Sequence, residues 1–132
     1  MVQKQICMKD LKRYYTMRAE PKDIYNALTN QKMIEIWSGE DAKMEPEPNT
    51  EFSMWNGSIS GMNLEFEENR KIVQKWFFGE QDEDSVVTIL LHPDKKGTKV
   101  ELRQTNIPDE AYENISDGWD QDYFGAMNEL FI

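Results

Sequence analysis

A chain of 132 residues is one domain's worth of sequence, long enough to bury roughly two thirds of its unfolded surface. Hydrophobic residues make up 39%, including four Trp, six Phe, five Tyr and eight Met, which argues against disorder although 30% of residues are charged. The net charge of −10 is concentrated after residue 43, and no Lys or Arg follows Arg103, a balance that disfavours nucleic acid and anionic lipid as partners.

No apolar run approaches the ~20 residues a membrane span requires, and the N-terminus lacks the apolar core of a signal peptide. A single cysteine, Cys7, leaves no internal disulfide framework and fits a reducing cytoplasm. Its place in a tail or leading strand (residues 1–9) suits an ordinary free thiol.

From Asp10 to Arg18, Leu11, Arg13, Tyr15 and Met17 alternate with Lys12, Tyr14, Thr16 and Arg18, which predicts a first strand. Pro21 opens a helix with an Ile24, Ala27, Leu28 stripe, and Met33, Ile34 and Trp37 mark a second short helix ending at Ser38-Gly39. A short strand from Ala42 to Glu45, a loop at 46–50 and a strand through Phe52 and Met54 follow. Asn56-Gly57 is the strongest hairpin signal in the chain. In the next strand, Ser58 to Glu67, Met62, Leu64 and Phe66 share one face and Asn63, Glu65 and Glu67 the other. Ile72 to Phe78 carries bulk on both faces, so parity does not decide which is inside. An acidic turn at 81–84, a strand from Val86 to Leu91, a turn at 92–97 and a strand from Thr98 to Asn106 complete the succession.

The last stretch, Pro108 to Ile132, is a long amphipathic helix. Tyr112, Ile115, Trp119, Tyr123, Met127 and Leu130 recur at helical intervals on one face, and Asp109, Glu113, Asp117 and Asp120 on another. Short connections force an antiparallel meander of about seven strands, and one long helix to cover them implies a sheet curved around it, an α+β fold.

The segments Ile24–Thr29 followed by Trp37, Trp55-Asn56-Gly57-Ser58-Ile59-Ser60-Gly61, Lys71–Trp76, Val86–Leu91, Gly97–Leu102 and Gly118-Trp119 resemble, in order and spacing, the C-terminal domain of the activators of heat-shock protein 90 ATPase. The likeness runs from about Tyr14 to Phe131. It implies the helix-grip fold of the START-like (SRPBCC) superfamily, across 1–132 as a single domain. Two departures stand out. The family often has a Gly-Gly pair where this chain has Glu47-Pro48-Asn49-Thr50, and the eukaryotic activators add an N-terminal domain for which 132 residues leave no room.

No catalytic constellation is visible. His92, the only histidine, precedes Pro93 in a predicted turn, and one His and one Cys do not make a zinc site. The acidic run at 82–84 lacks calcium-loop spacing. Some superfamily relatives are cyclases or dehydratases, but no inward acid or base recommends itself here. Catalytic residues, metal and cofactor are therefore expected to be none.

Two features point to binding. Trp37, Trp55, Met62, Phe66, Trp76, Trp119 and Tyr123 converge between sheet and helix, where they either line a groove for an apolar ligand or fill the core. Gly118 and Gly125 lie on one helix, where each costs about 1 kcal/mol relative to Ala. They allow close backbone approach to the sheet, or they leave a groove or a kink between Gly118 and Trp119. The expected function is a small non-enzymatic domain binding an apolar ligand. The alternative is a co-chaperone contact with heat-shock protein 90 through Asp109, Glu113, Asp117 and Asp120.

Overall fold

The computed structural model describes residues 8–79 and 83–131. Cys7, most of the expected tail, Gln81 and Asp82 of the acidic turn, and Ile132 lie outside them. Six antiparallel strands, β1 (Met8–Met17), β2 (Thr50–Met54), β3 (Ile59–Glu67), β4 (Lys71–Trp76), β5 (Ser85–Asp94) and β6 (Gly97–Pro108), form one sheet in the order β1-β6-β5-β4-β3-β2. Two short helices, α1 (Pro21–Thr29) and α2 (Gln31–Ser38), follow β1. The C-terminal helix occupies residues 109–131, with α3 (Tyr112–Gly118) and α4 (Phe124–Asn128) joined by a π-helical turn, Trp119–Tyr123. No helix among the described residues is long and apolar enough to cross a membrane.

The expected seventh strand, Ala42 to Glu45, is a single bridge from Lys43 to Ser53, closed by reciprocal backbone bonds of 2.9 and 3.1 Å. Pro46 and Pro48 follow at once, and they supply no N–H with which to extend a ladder. The expected 92–97 turn is narrower. β5 continues through His92 and Pro93 to Asp94, which pairs with Gly97, so His92 is a strand residue beside Glu101.

The inner face of the sheet carries Leu11 and Met17 from β1, Ile72 and Trp76 from β4, Val87, Ile89 and Leu91 from β5, and Val100 and Leu102 from β6, all buried. α1 packs on β5 and β6, α2 packs on α4, and Trp119, Tyr123, Phe124 and Met127 close the core from above. β1 holds the helix in place: Arg13 Nη2 donates to Ser116 Oγ at 3.0 Å and the Tyr15 hydroxyl donates to Asp120 Oδ1 at 2.6 Å. Burial, and then the Asp120 carboxylate, push the Tyr15 phenol well above its ordinary value, so it remains a neutral donor.

Parity along β3 departs from the expected alternation. A bulge between Asn63 and Glu65 shifts the register. Asn63, opposite Gln74, is therefore fully buried, while Met62, opposite Lys75 and Glu51, turns to the outer face. Beyond the bulge Phe66 comes back inside, opposite Ile72. On β4, Ile72, Gln74 and Trp76 point inward while Phe77 is 43% exposed.

On the outer face, Glu101 is nearly buried between Arg103 Nε, at 2.6 Å, and His92 Nε2, at 3.2 Å. Burial alone would raise its carboxyl, but the hydrogen bonds from Arg103 and His92 outweigh it and hold the carboxyl below its ordinary value of 4.5. A carboxyl lowered in the fold stabilises it above pH 4.5 and loses that contribution as pH falls through the lowered value. Urea midpoints recorded from pH 7 to pH 2 are expected to fall less steeply at the acid end for Glu101→Gln than for the parent. Parallel acid limbs would remove Glu101 from the account.

Candidate functional site: an aromatic groove under the C-terminal helix

A cavity of about 340 Å³ opens between the C-terminal helix and the β2–β3 hairpin, lined by Trp55, Ser58, Ile59, Trp76, Asn114, Ile115, Gly118, Trp119, Asp122 and Tyr123. Of the nine residues expected to form a groove, five line it: Trp55, Trp76, Gly118, Trp119 and Tyr123. Trp37 stands behind them, its ring 6.0 Å from Trp55 and 5.0 Å from Tyr123, with its indole N–H donating to the Ala27 carbonyl at 2.9 Å. Met62 is on the opposite face of the sheet, and Phe66 and Gly125 are not among the lining residues.

The hairpin explains how Trp55 reaches the site. Phe52 and Met54 are inward, so alternation would send residue 55 outward. Trp55, Asn56 and Gly57 instead all have positive φ (51°, 55° and 88°), in a turn closed by Gly57 N–H to the Met54 carbonyl and Ser58 N–H to the Trp55 carbonyl, both 3.1 Å. The loop is thus longer than the two-residue Asn-Gly turn expected. A tryptophan in the left-handed region is a true outlier, costing of order 1–3 kcal/mol, and such strain clusters at working sites. Here it brings the indole against Trp37 and Tyr123, 5.9 Å from the latter.

Behind the Trp76 and Trp119 walls of the groove runs a polar seam that the sequence did not disclose. Trp76 and Trp119 stack at 4.8 Å, and each indole N–H is held by a glutamine oxygen: Trp76 by Gln74 at 3.1 Å and Trp119 by Gln104 at 2.8 Å. Gln74 Nε2 donates to Asn63 Oδ1 at 3.0 Å, and Gln104 Nε2 donates to Ser85 Oγ at 3.1 Å. Ser85 in turn donates to the Thr105 carbonyl at 2.8 Å. Asn63, Gln74, Ser85 and Gln104 are all at most 2% exposed, and their amides and hydroxyl satisfy one another. The only advance sign was that Gln74 and Gln104 interrupt otherwise apolar strand faces. Tyr123 differs. It is 2% exposed, burial pushes its phenol well above the ordinary value, and among the described residues its hydroxyl has no hydrogen-bond partner.

The two helix glycines have different causes. A Cβ at Gly118 would meet nothing within 4 Å, so its missing side chain is part of the groove. At Gly125 a Cβ would collide with the carbonyl oxygen of Asp120, five residues back. That close approach comes from the π-helical turn, where the Phe124 N–H reaches the Trp119 carbonyl. The close approach is to the helix's own backbone, not to the sheet. Gly118→Ala is expected to raise stability by up to about 1 kcal/mol, the ordinary helix gain, whereas Gly125→Ala should lower it by about 2 kcal/mol despite the same gain. Thermal melts of the two variants check this, and equal shifts would contradict it.

Of the four acidic residues proposed as a partner surface, all exposed, Asp109 is 3.5 Å from Lys9 Nζ and Asp120 holds Tyr15. Glu113 and Asp117 face solvent on α3.

Comparison with known proteins places the fold. The family model described as activator of Hsp90 ATPase homolog 1-like protein matches residues 18–131. An activator of 90 kDa heat shock protein ATPase homolog from Dictyostelium discoideum is 31% identical over 126 residues, covering 93% of this chain and 33% of that protein. The human homolog 1 is 28% identical over 118 residues, covering 88% and 35%. The chain spans about a third of the length of the curated relatives it matches. Among solved structures, an HSP90 activator from Plasmodium falciparum superposes with a TM-score of 0.81 at 26% identity, covering 94% of this chain and 96% of that one. The Aha1 dimer from Colwellia psychrerythraea, at 15% identity, shares the fold with a TM-score of 0.82, covering 95% and 98%. The inward-facing sheet, the C-terminal helix laid across it and the family match over 18–131 agree, and the chain belongs to the activator of Hsp90 ATPase homolog 1-like family.

Proposed function

We propose that the chain is a small, non-catalytic binding domain that takes an apolar ligand in the groove between the C-terminal helix and the β2–β3 hairpin. The carrying observation is the cavity itself, about 340 Å³ and walled by three indoles and a phenol, within the size range of small-molecule sites. Three further features support it. Trp55 is strained into the wall, Gly118 leaves its side open, and the Tyr123 hydroxyl is buried without a partner among the described residues. A ligand offering one hydrogen-bond acceptor would satisfy that hydroxyl.

Titration with lipids, sterols and aromatic polyketides, followed by NMR, is expected to give saturable shifts of the Trp76 and Trp119 indole N–H and the Gly118 amide. Gly118→Leu should fill the groove from its open side and weaken binding by at least about tenfold while leaving the fold intact. Absence of any saturable shift at these positions would overturn the proposal.

A second function rests on the family. Relatives are named as activators of the heat-shock protein 90 ATPase, and the exposed Glu113 and Asp117 offer an acidic helix face that would suit a basic partner surface. A pull-down and an ATPase assay with the chaperone of the same organism test it. An unchanged rate at high excess would end the activator version.

A further inference from the structure

The groove is charged in one sense only. Among the described residues, Asp122 is the single ionisable side chain in its lining apart from the neutral Tyr123 phenol, and it is exposed. Asn114, Gly118 and Asp122 follow at four-residue intervals down the helix side of the groove, and the helix can supply no cation because no Lys or Arg follows Arg103. Among the described residues the sheet side supplies none to the lining either. Trp76 points inward, so its neighbour Lys75 lies on the outer face, 3.6 Å from Asp84, and Lys71 lies on that same outer face with Glu65 and Glu67 at 3.2 and 3.5 Å. Arg13, the cation tied to the helix from β1, is committed to Ser116.

An aromatic wall with a carboxylate at its edge and no neutralising cation has a definite preference. Ring faces carry negative potential, so a positively charged group gains from them and from the carboxylate together. A carboxylate or sulfonate ligand would meet repulsion from both, in a chain whose net charge is already −10. Strongly hydrated cations would lose too much solvation in an apolar groove, whereas an alkylated ammonium carries its charge on a weakly hydrated surface.

We infer that the groove selects a small organic cation bearing an alkylated ammonium group, with Asp122 at its edge and the Trp55, Trp76, Trp119 and Tyr123 rings around it. This deepens the ligand-binding function proposed above and rests on it.

The test uses two molecules of the same shape, (4-hydroxyphenyl)trimethylammonium and 4-tert-butylphenol, titrated into the full chain while the indole N–H resonances are followed. The ammonium is expected to bind about fivefold more tightly at low salt, and the preference should shrink in 0.5 M salt. Asp122→Asn, an exposed and conservative change, is expected to remove most of the preference by weakening the ammonium several-fold more than it alters 4-tert-butylphenol. If the neutral phenol binds as tightly as the ammonium, or if Asp122→Asn leaves the preference intact, the cation inference fails and the ligand groove stands. If neither molecule shifts the indole resonances, the inference fails and the groove proposal is weakened with it.

Discussion

Replacing Trp119 by alanine is expected to cost about 4 kcal/mol of stability, the largest loss from any single change in the groove. Trp119 is 2% exposed, and its ring lies 4.8 Å from Trp76, 4.4 Å from Tyr123 and 5.8 Å from Phe124. Truncation removes all three contacts at once. It also strips the donor from Gln104 Oε1, which would then be a buried acceptor without a partner, a penalty of about 1–3 kcal/mol that overlaps with the packing loss. A domain of this size has roughly 5–15 kcal/mol in total, so the variant should sit close to its folding threshold. Trp119→Phe separates the two causes. It keeps an aromatic ring over Trp76 and loses the indole N–H, and should cost about 2 kcal/mol. Urea denaturation followed by far-ultraviolet circular dichroism gives both numbers. A loss below about 1 kcal/mol for the alanine variant would show that the stack does not organise the core.

The large effect at Trp119 was foreseeable from helical spacing, because Ile115, Trp119, Tyr123 and Met127 must share a face whatever the details of packing. The six strands were legible for the same reason, and the order of short motifs pointed to the family that the comparisons established. What escaped was local. At β3 the alternation of Met62, Leu64 and Phe66 is ideal on paper, but a bulge beside Leu64 reverses Met62 and leaves Phe66 in place. Such bulges follow from pairing with β4, which no reading of β3 alone contains. Asn63 looked like a surface residue because its partners, Gln74, Glu45 and Thr50, come from elsewhere in the chain. Trp55 belongs to the same class: an Asn-Gly pair announces a hairpin, but it does not announce that the preceding tryptophan will take a left-handed backbone. Gly125 was visibly odd in a helix, yet its reason is a π-helical turn whose signature is geometric.

Asn63 supplies the second large effect, because replacing a buried polar group by an apolar one harms the fold mainly through the partners it abandons. Its amide nitrogen donates to the Glu45 carbonyl at 3.2 Å and to Thr50 Oγ1 at 3.1 Å, and its oxygen receives Gln74 Nε2 at 3.0 Å. Asn63→Leu leaves the Gln74 amide buried without its acceptor and frees the 45–50 loop, for an expected cost of about 3 kcal/mol. Gln74→Leu alone should cost a similar amount, since it orphans both Asn63 Oδ1 and the Trp76 indole N–H. The double variant is expected to fall short of the sum by about 1–2 kcal/mol, because in it neither amide waits for the other. Strict additivity would mean that the two side chains do not act as a unit. The pair also bears on the groove. Trp76 is one of its walls, and its indole is oriented by Gln74, which is oriented by Asn63. Asn63→Leu should therefore weaken binding of any groove ligand by several-fold even where the protein remains folded, although Asn63 does not line the cavity. Unchanged affinity in the folded variant would detach the seam from the site and leave it a stabilising feature alone.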